Sequence, residues 1–593
     1  MSPTNSPTSP VKRAASPELK PDPSLDAAEQ RRRNPDFLAR AAISSLADRL
    51  PLPWPTPPET PPSPKRRYRS AYLPPDSRRL LGLDERAWAA LGNFDLVLGL
   101  IDFSGLRPVL AEKLYQASAL GRVPYDPISF FLLFGWQLFN RWKRLQALRH
   151  LKEPRHADYA DAFGFRSGYH PSESGYRYFL TTLGKKPLSD LLVQSMNLVQ
   201  QTGLIPEAVQ QAATVSFDGQ IHDAASRLRC HDVRDSCYQS TSEESPRACP
   251  ARQQGKPGCL CDSLACQQLC KLATPRDQEA RYVWYARHNR QEPPNSEFTR
   301  TSADGPPTDN SPGSKSDTSE HSSTHCSSGE GRYGYRSGPC QLVDATWRAN
   351  WTLDEAELAP ANTREESSAG KLLRQIVGEY DWLHVASAVG DAGVGYEPFL
   401  SVAYELGARR VVDLRADPRT DHDKDAWAIR GYDDKGWPIC QLGYRLHPNG
   451  YDSERRRMKW CCRQACEAPP DPPGSPIAGS PDCPYRDRAE HPFGRIINVG
   501  ETFADGSLRL ARDVPYGSTA WKELYRRGRN AAEGRNARLE SWNLKRLPIF
   551  GQARAQATIF LADLWGNLLQ LARLIKEATL AKLTQLTQTS QSG

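Results

Sequence analysis

Methionine is scarce, at 3 in 593 residues, and the apolar share of 38% is below that of a chain that folds throughout. Proline is abundant at 49, so part of the chain is expected to bury too little apolar surface to offset its ordering entropy. No apolar segment follows Met1-Ser2-Pro3-Thr4, which argues against a secretory signal. An uninterrupted bilayer-length apolar run is also missing. The most apolar late stretch, Ile559 to Ile575, contains Asp563, Asn567 and Arg573 and reads as an amphipathic helix, so no membrane partner is expected. Neither charge sign dominates: 77 basic against 69 acidic residues leave a net +8, which suits an anionic partner without establishing one. No internal repeat is visible. Cysteine, by contrast, is present 14 times. Without an export signal these thiols belong to a reducing compartment, where metal binding or free thiols are favoured over disulfides.

At this length two or three folded units joined by linkers are expected. Residues 1–75 are Pro/Ser-rich, with the basic cluster Lys65-Arg66-Arg67-Tyr68-Arg69, and read as a disordered arm. Residues 76–204 are helical in character. Pro127 opens a strongly apolar helix that turns basic at Arg141, Lys143 and Arg144, and Ser172 is placed to cap a second through Tyr176, Arg177, Tyr178 and Phe179. Two such helices form either a helix-turn-helix, with Arg177 on the DNA-facing helix, or a packing domain with no DNA contact. From 210 to 586 the pattern alternates. Strands are predicted at Thr214–Phe217, Gly338–Trp351, His384–Val389 and Arg410–Leu414, and helices at Lys371–Tyr380 and Tyr396–Leu406. That order predicts an α/β layer fold, a mixed sheet flanked by helices. Two irregular insertions interrupt it, at about 231–331 (Cys-rich, then Ser-rich) and 418–515.

Three acids stand in distinctive settings. Asp218 closes Val215-Ser216-Phe217, and Asp391 closes an apolar run from Leu383 to Gly390. Glu533 lies in a basic helix with Arg526, Arg527, Arg529, Arg535 and Arg538. Carboxylates at the ends of buried strands and on a facing helix are hard oxygen donors suited to Mg²⁺. One Asp at a strand end is most often a turn residue; three in this order point to phosphodiester chemistry.

This order, with Gly334-Tyr335-Arg336 ahead of a strand and Tyr125-Asp126-Pro127 opening a long apolar helix, resembles the DDE transposases of bacterial insertion sequences. The resemblance implies an RNase H-like core preceded by an all-helical DNA-binding domain. It implies Asp218, Asp391 and Glu533 as catalytic ligands of two Mg²⁺ ions, with Mn²⁺ as a substitute. Arg526, Arg527, Arg529, Arg535, Arg538 and Arg177 would contact DNA. The partners would be double-stranded DNA, as element ends and target, and further copies of the chain as a homodimer or higher assembly. The location would be cytoplasmic, associated with the nucleoid. A DNA-binding descendant without catalysis and an RNase H-like nuclease are the alternatives. Asp218 and Asp391 are 173 positions apart, of which 101 fall in the first irregular stretch. The family's Tyr-Arg-Glu-Lys signature is imperfect: Arg529 lies four before Glu533, Tyr525 eight before, and Glu540 stands where lysine is usual. Glu523 and Glu540 are the rival third acids.

Two cysteine groups are candidate zinc sites: Cys259, Cys261, Cys266 and Cys270, and separately Cys461, Cys462, Cys466 and Cys483. Free thiols in inserted loops are the alternative reading of each.

Overall fold

A computed structural model of the chain describes residues 35–56, 68–69, 71–115, 123–165, 170–225, 277, 279–286, 329–344, 349–413, 431–432, 438–440, 444–452, 454, 457–462, 490, 494–500, 514 and 519–592. The main helices are α1 (Pro35–Ala41), α2 (Asn93–Leu100), α3 (Leu106–Leu114), α4 (Pro127–Phe139), α5 (Arg144–His150), α6 (Glu173–Gly184), α7 (Ser189–Gln201), α8 (Glu366–Glu379), α9 (Glu397–Glu405), α10 (Thr519–Ser541) and α11 (Gln552–Ser592). Local chemistry sets their starts. Asp126 accepts from the Ile128 amide ahead of Pro127 in the first turn of α4, and the Ser172 hydroxyl accepts from the Gly175 amide to cap α6.

The central sheet is mixed. Its strands are β1 (Ala213–Phe217), β2 (Gln220–Asp223), β3 (Arg281–Ala286), β4 (Gly329–Asp344), β5 (Ala349–Pro360), β6 (Val385–Gly390) and β7 (Arg409–Val412). The order runs β2-β4-β1-β6-β7, and the long strand β4 also pairs with β3 and β5. All pairs made by β4 are antiparallel, whereas β1 with β6 and β6 with β7 are parallel. The parallel strands are joined through α8 and α9, as crossovers require. Alternation along β1 shows that both faces are covered: Phe217 packs on Phe399 of α9, while the Ser216 hydroxyl donates to the Gly528 carbonyl of α10 at 2.8 Å. The chain is thus mixed α/β, with its helices on a mixed sheet.

The helix α11 lies at the centre of the packing, in contact with α1, α2, α4, α6, α7 and β5. Trp565 stacks on Phe131 and Phe94 at centroid distances of 5.0 and 5.4 Å. Gly135 of α4 permits this approach: a Cβ there would lie 2.1 Å from the Trp565 ring. The Asn567 amide accepts from the Thr352 N–H and donates to the Thr352 carbonyl, completing the backbone pairing of β5 at the sheet edge.

Several expectations change here. The stretch Ile559–Ile575 is not a one-sided amphipathic helix. It is buried on nearly every side, its polar groups Asp563 and Asn567 being satisfied from inside; among the described residues no helix is long and apolar enough to cross a membrane. Part of the supposed disordered arm is folded. Phe37, Leu38, Ala41, Ile43 and Leu46 are buried, and the Ile43 amide donates to the Thr579 hydroxyl of α11; the apolar flank of α11 supplies the partner that this segment lacks alone. Leu52, Trp54 and Tyr72 of the arm are buried as well, while residues 1–34, 57–67 and 70, with Lys65, Arg66 and Arg67, lie outside the described residues. The helices α4 and α6 do not form a helix-turn-helix with each other. The helix α5 and a further helix at Ala157–Ala162 stand between them, and α4 is buried from Pro127 to Leu138. The first insertion is not wholly irregular, since β3 extends the main sheet. In the second, His447–Asp452, Arg457–Cys461 and Ile496–Gly500 form a three-stranded antiparallel sheet. The division at 204–210 marks a change of secondary structure rather than of core: one apolar cluster runs from Phe37 to Ala581.

Overpacking a core typically costs about 1–3 kcal/mol. Gly135→Ala is therefore expected to destabilise by about that amount in urea unfolding, whereas Gly82→Ala, with nothing within 4 Å of the added Cβ, leaves the midpoint nearly unchanged.

Candidate active site

The parallel register of β1 and β6 pairs Phe217 with Gly390. The next residue of each strand, Asp218 and Asp391, therefore leaves the sheet beside the other at its C-terminal edge. There the two acids differ. Asp391 is partly exposed, and its Oδ1 accepts from the amides of Gly393 (2.8 Å) and Val394 (3.3 Å), which fixes the turn into α9. Among the described residues its Oδ2 carries no hydrogen bond. Asp218 is buried.

The third acid comes from α10. Small residues let this helix seat closely on the sheet: Trp521, Gly528, Ala531, Ala532, Arg535 and Leu539 form its buried face, and a Cβ at Gly528 would lie 2.5 Å from Val389 of β6. Seated so, α10 turns Glu533 outward, its side chain 65% exposed, and brings Arg529 between the acids. Arg529 lies 2.8 Å from Asp218 Oδ1 and 3.6 Å from Glu533. One turn further on, Asn536 donates to Asp218 Oδ2 at 3.3 Å. Tyr525, stacked on Trp521 at 4.4 Å, donates to Asp413 just beyond the end of β7.

Burial is the main influence on Asp218 and pushes its carboxyl up to about 6. The Arg529 guanidinium opposes this, and the charges of Asp391 and Glu533 add to it. The three acids thus act on one another, with a guanidinium as their present counter-charge. Their donor set, carboxylate oxygens only, fits a hard divalent cation. Their oxygens do not all lie within 4.8 Å of one another, as Arg529 stands between them.

Beneath this edge lies a second charged group with no access to solvent. Arg535 and its partners Asp563 (α11) and Glu355 (β5) have fully buried side chains. The guanidinium donates to both oxygens of Asp563, at 3.0 and 2.6 Å, and to Glu355 Oε1 at 3.2 Å. It also donates to Gln220 Oε1, the Ser337 hydroxyl and Asn536 Oδ1. Burial raises the Glu355 carboxyl well above its usual range, with the Asp563 charge adding to it, while the Asp563 carboxyl is held low by the Arg535 guanidinium against its own burial.

The predicted DNA contacts divide accordingly. Arg526, Arg527 and Arg177 are exposed, Arg527 pairing with Glu523. Arg535 is enclosed and holds no phosphate, because the apolar face of α10 points it into the sheet. Arg538 is turned inward, 3.8 Å from Asp563 and over the Trp542 ring. Arg529 is engaged by Asp218. Of the rival acids, Glu523 pairs with Arg527 and Glu540 with Lys545 at 2.6 Å, and only Glu533 joins Asp391 in raising Asp218. Cys259, Cys261, Cys266, Cys270, Cys466 and Cys483 lie outside the described residues, while Cys461 and Cys462 sit on and beside the last residue of the middle strand of the small sheet. Asn536, Glu355 and Gln220 were not anticipated. Asp563 was the available signal, since a carboxylate within the apolar stretch Ile559–Ile575 requires a buried partner. Comparison with protein-family models, curated proteins and solved structures finds no match.

Removing one member of a buried ion pair typically costs about 3–5 kcal/mol, and Arg535→Met is expected to lose about that much at pH 7. Asp563 has a depressed folded pKa, so the stability it contributes is present at neutral pH and is lost as pH falls through that value. In Arg535→Met, Asp563 loses both guanidinium bonds, keeps only the more distant Arg538 at 3.8 Å, and takes up its proton at higher pH. Urea unfolding between pH 7 and pH 5 is therefore expected to show the gap from wild type narrowing; a constant gap would contradict this role.

Proposed function

We propose that the chain is a DDE transposase with an RNase H-like core. It would cleave DNA at insertion-sequence ends and join the freed 3′ ends to a target. The observation that carries this reading is the pair Asp218 and Asp391, emerging side by side from adjacent parallel strands beneath a basic helix that presents Glu533. The sheet order supports it too: antiparallel strands lie on one side of β1 and two parallel strands on the other, as in RNase H-like cores.

In this reading Asp218, Asp391 and Glu533 hold two Mg²⁺ ions, or Mn²⁺ in their place. When bound, the ions supply Lewis-acid activation of the attacking oxygen and stabilise charge on the leaving 3′-oxygen. The residues do the rest. The Asp391 turn fixes its carboxylate through Oδ1, and Asn536 orients Asp218 through Oδ2. Arg529 neutralises Asp218 until a cation replaces it. The exposed Arg526, Arg527 and Arg177 hold DNA phosphates, contacts that position the duplex without reading its sequence. The chain would act on paired DNA ends as a dimer or higher assembly, in the nucleoid.

One observation favours a second reading, a DNA-binding descendant without catalysis. Arg529 occupies the space between Asp218 and Glu533, and a site closed by its own arginine holds no metal.

The test is cleavage of DNA carrying the sequences that flank the gene, in Mg²⁺, by wild type and Asp391→Ala. Wild type is expected to yield 3′-hydroxyl ends, and the variant to bind the DNA with cleavage reduced at least about a hundredfold, the scale of losing electrostatic stabilisation in a transition state. Equal cleavage by both proteins contradicts the role of Asp391. Binding by both with cleavage by neither supports the second reading.

A further inference from the structure

We propose that His150, Glu153 and His156 form a transition-metal site, suited to Zn²⁺, at the surface of the N-terminal helical region. The three residues follow the spacing His-x-x-Glu-x-x-His across the end of α5 and the 3-10 turn Pro154–His156. Backbone hydrogen bonds wind this stretch tightly. The Glu153 amide donates to the His150 carbonyl and the His156 amide to the Glu153 carbonyl. Glu153 itself is extended between the two turns, and its carboxylate meets both imidazoles.

The donor atoms are already gathered. His150 Nδ1 is 2.9 Å from Glu153 Oε1, His156 Nε2 is 3.8 Å from Glu153 Oε2, and the three ligand atoms all lie within 4.8 Å of one another. A tetrahedral zinc with bonds of about 2.0–2.1 Å sets its donors roughly 3.3 Å apart, so the observed spacings need only small side-chain adjustments. Among the described residues this is the cluster of three His, Cys, Asp or Glu that meets such a spacing.

Aromatic walls hold the rings in place. Trp142 stacks on His150 at 4.2 Å, and Trp136 meets His156 edge-on at 5.3 Å. The opposite side is open, with the ligand side chains 19–30% exposed. Two imidazoles and one carboxylate with an open position make a zinc donor set completed by water. Imidazole donors favour zinc and its neighbours over Mg²⁺, which separates this site chemically from the three acids at the sheet edge. Arg155 Nε now donates to Glu153 Oε2 at 2.7 Å. Its side chain is 69% exposed and is displaced into solvent on binding.

The site is tested on the full chain, loaded with Zn²⁺ or Co²⁺ and desalted. Wild type, His150→Gln/His156→Gln, Glu153→Gln and Asp218→Asn/Asp391→Asn are compared by elemental analysis and by cobalt absorption. The histidine double variant is expected to carry one equivalent of metal per chain less than wild type and to lose a cobalt ligand-field band of nitrogen and oxygen ligation. Thiolate charge-transfer absorption from cysteines elsewhere stays the same, and the aspartate variant keeps the wild-type zinc content. Should the double variant aggregate, Glu153→Gln alters a partly exposed side chain and is expected to weaken zinc binding at least about tenfold, the lower end of what perturbing a metal site costs in affinity. Equal metal content, spectra and zinc affinity in wild type and these variants overturn the proposal, as does a wild type that takes up no zinc beyond its thiolate sites.

Discussion

The enclosed guanidinium of Arg535 is the interaction on which the candidate site depends. It joins α10, which carries Glu533 and Arg529, to α11 through Asp563 and to the sheet through Glu355 and Gln220. A charge taken out of water is tolerated only where its partners are close and its donors satisfied. That requirement fixes the rotation of α10 about its axis. With Arg535 pointing inward, Asn536 reaches Asp218 and Glu533, two residues earlier, faces outward. An apolar residue at 535 would fill the same space without specifying this rotation as tightly, since dispersion contacts are non-directional.

Around that clamp the molecule is built outward from α11 rather than from the sheet alone. Trp565 is held by Phe94, Phe103 and Phe131 of the helical region, while Asn567 completes the backbone pairing of β5. A single helix thus binds the N-terminal helices, the folded part of the arm and the sheet edge into one core. The geometry of the acids is consequently tied to segments far away in sequence, as the Ile43–Thr579 hydrogen bond illustrates.

Much of the sheet was readable because strands buried on both faces appear as continuous apolar runs. Val215 to Phe217 and Val385 to Val389 show this, each followed within two residues by the acid of interest. The placement of α10 was readable only in part. Composition marks it as basic, but which arginine turns inward depends on the stripe Gly528, Ala531, Ala532, Arg535 and Leu539, where Arg535 takes a position that the helical period assigns to the sheet. The strand β3 was hidden inside a Cys- and Ser-rich stretch, although Arg281-Tyr282-Val283-Trp284-Tyr285-Ala286 has strand composition. The helix α1 was missed for a different reason: its few apolar residues suffice only because α11 offers a surface to cover, and a tertiary partner of this kind leaves no local trace.

On the reading proposed above, Asp218, Asp391 and Glu533 form one divalent-cation site under the control of Arg529. It is tested most directly by counting bound Mn²⁺ by electron paramagnetic resonance in wild type and in Asp391→Asn. Wild type is expected to bind Mn²⁺ that Mg²⁺ displaces, and the variant to lose that fraction. The same number of Mg²⁺-displaceable Mn²⁺ ions in both proteins would contradict it.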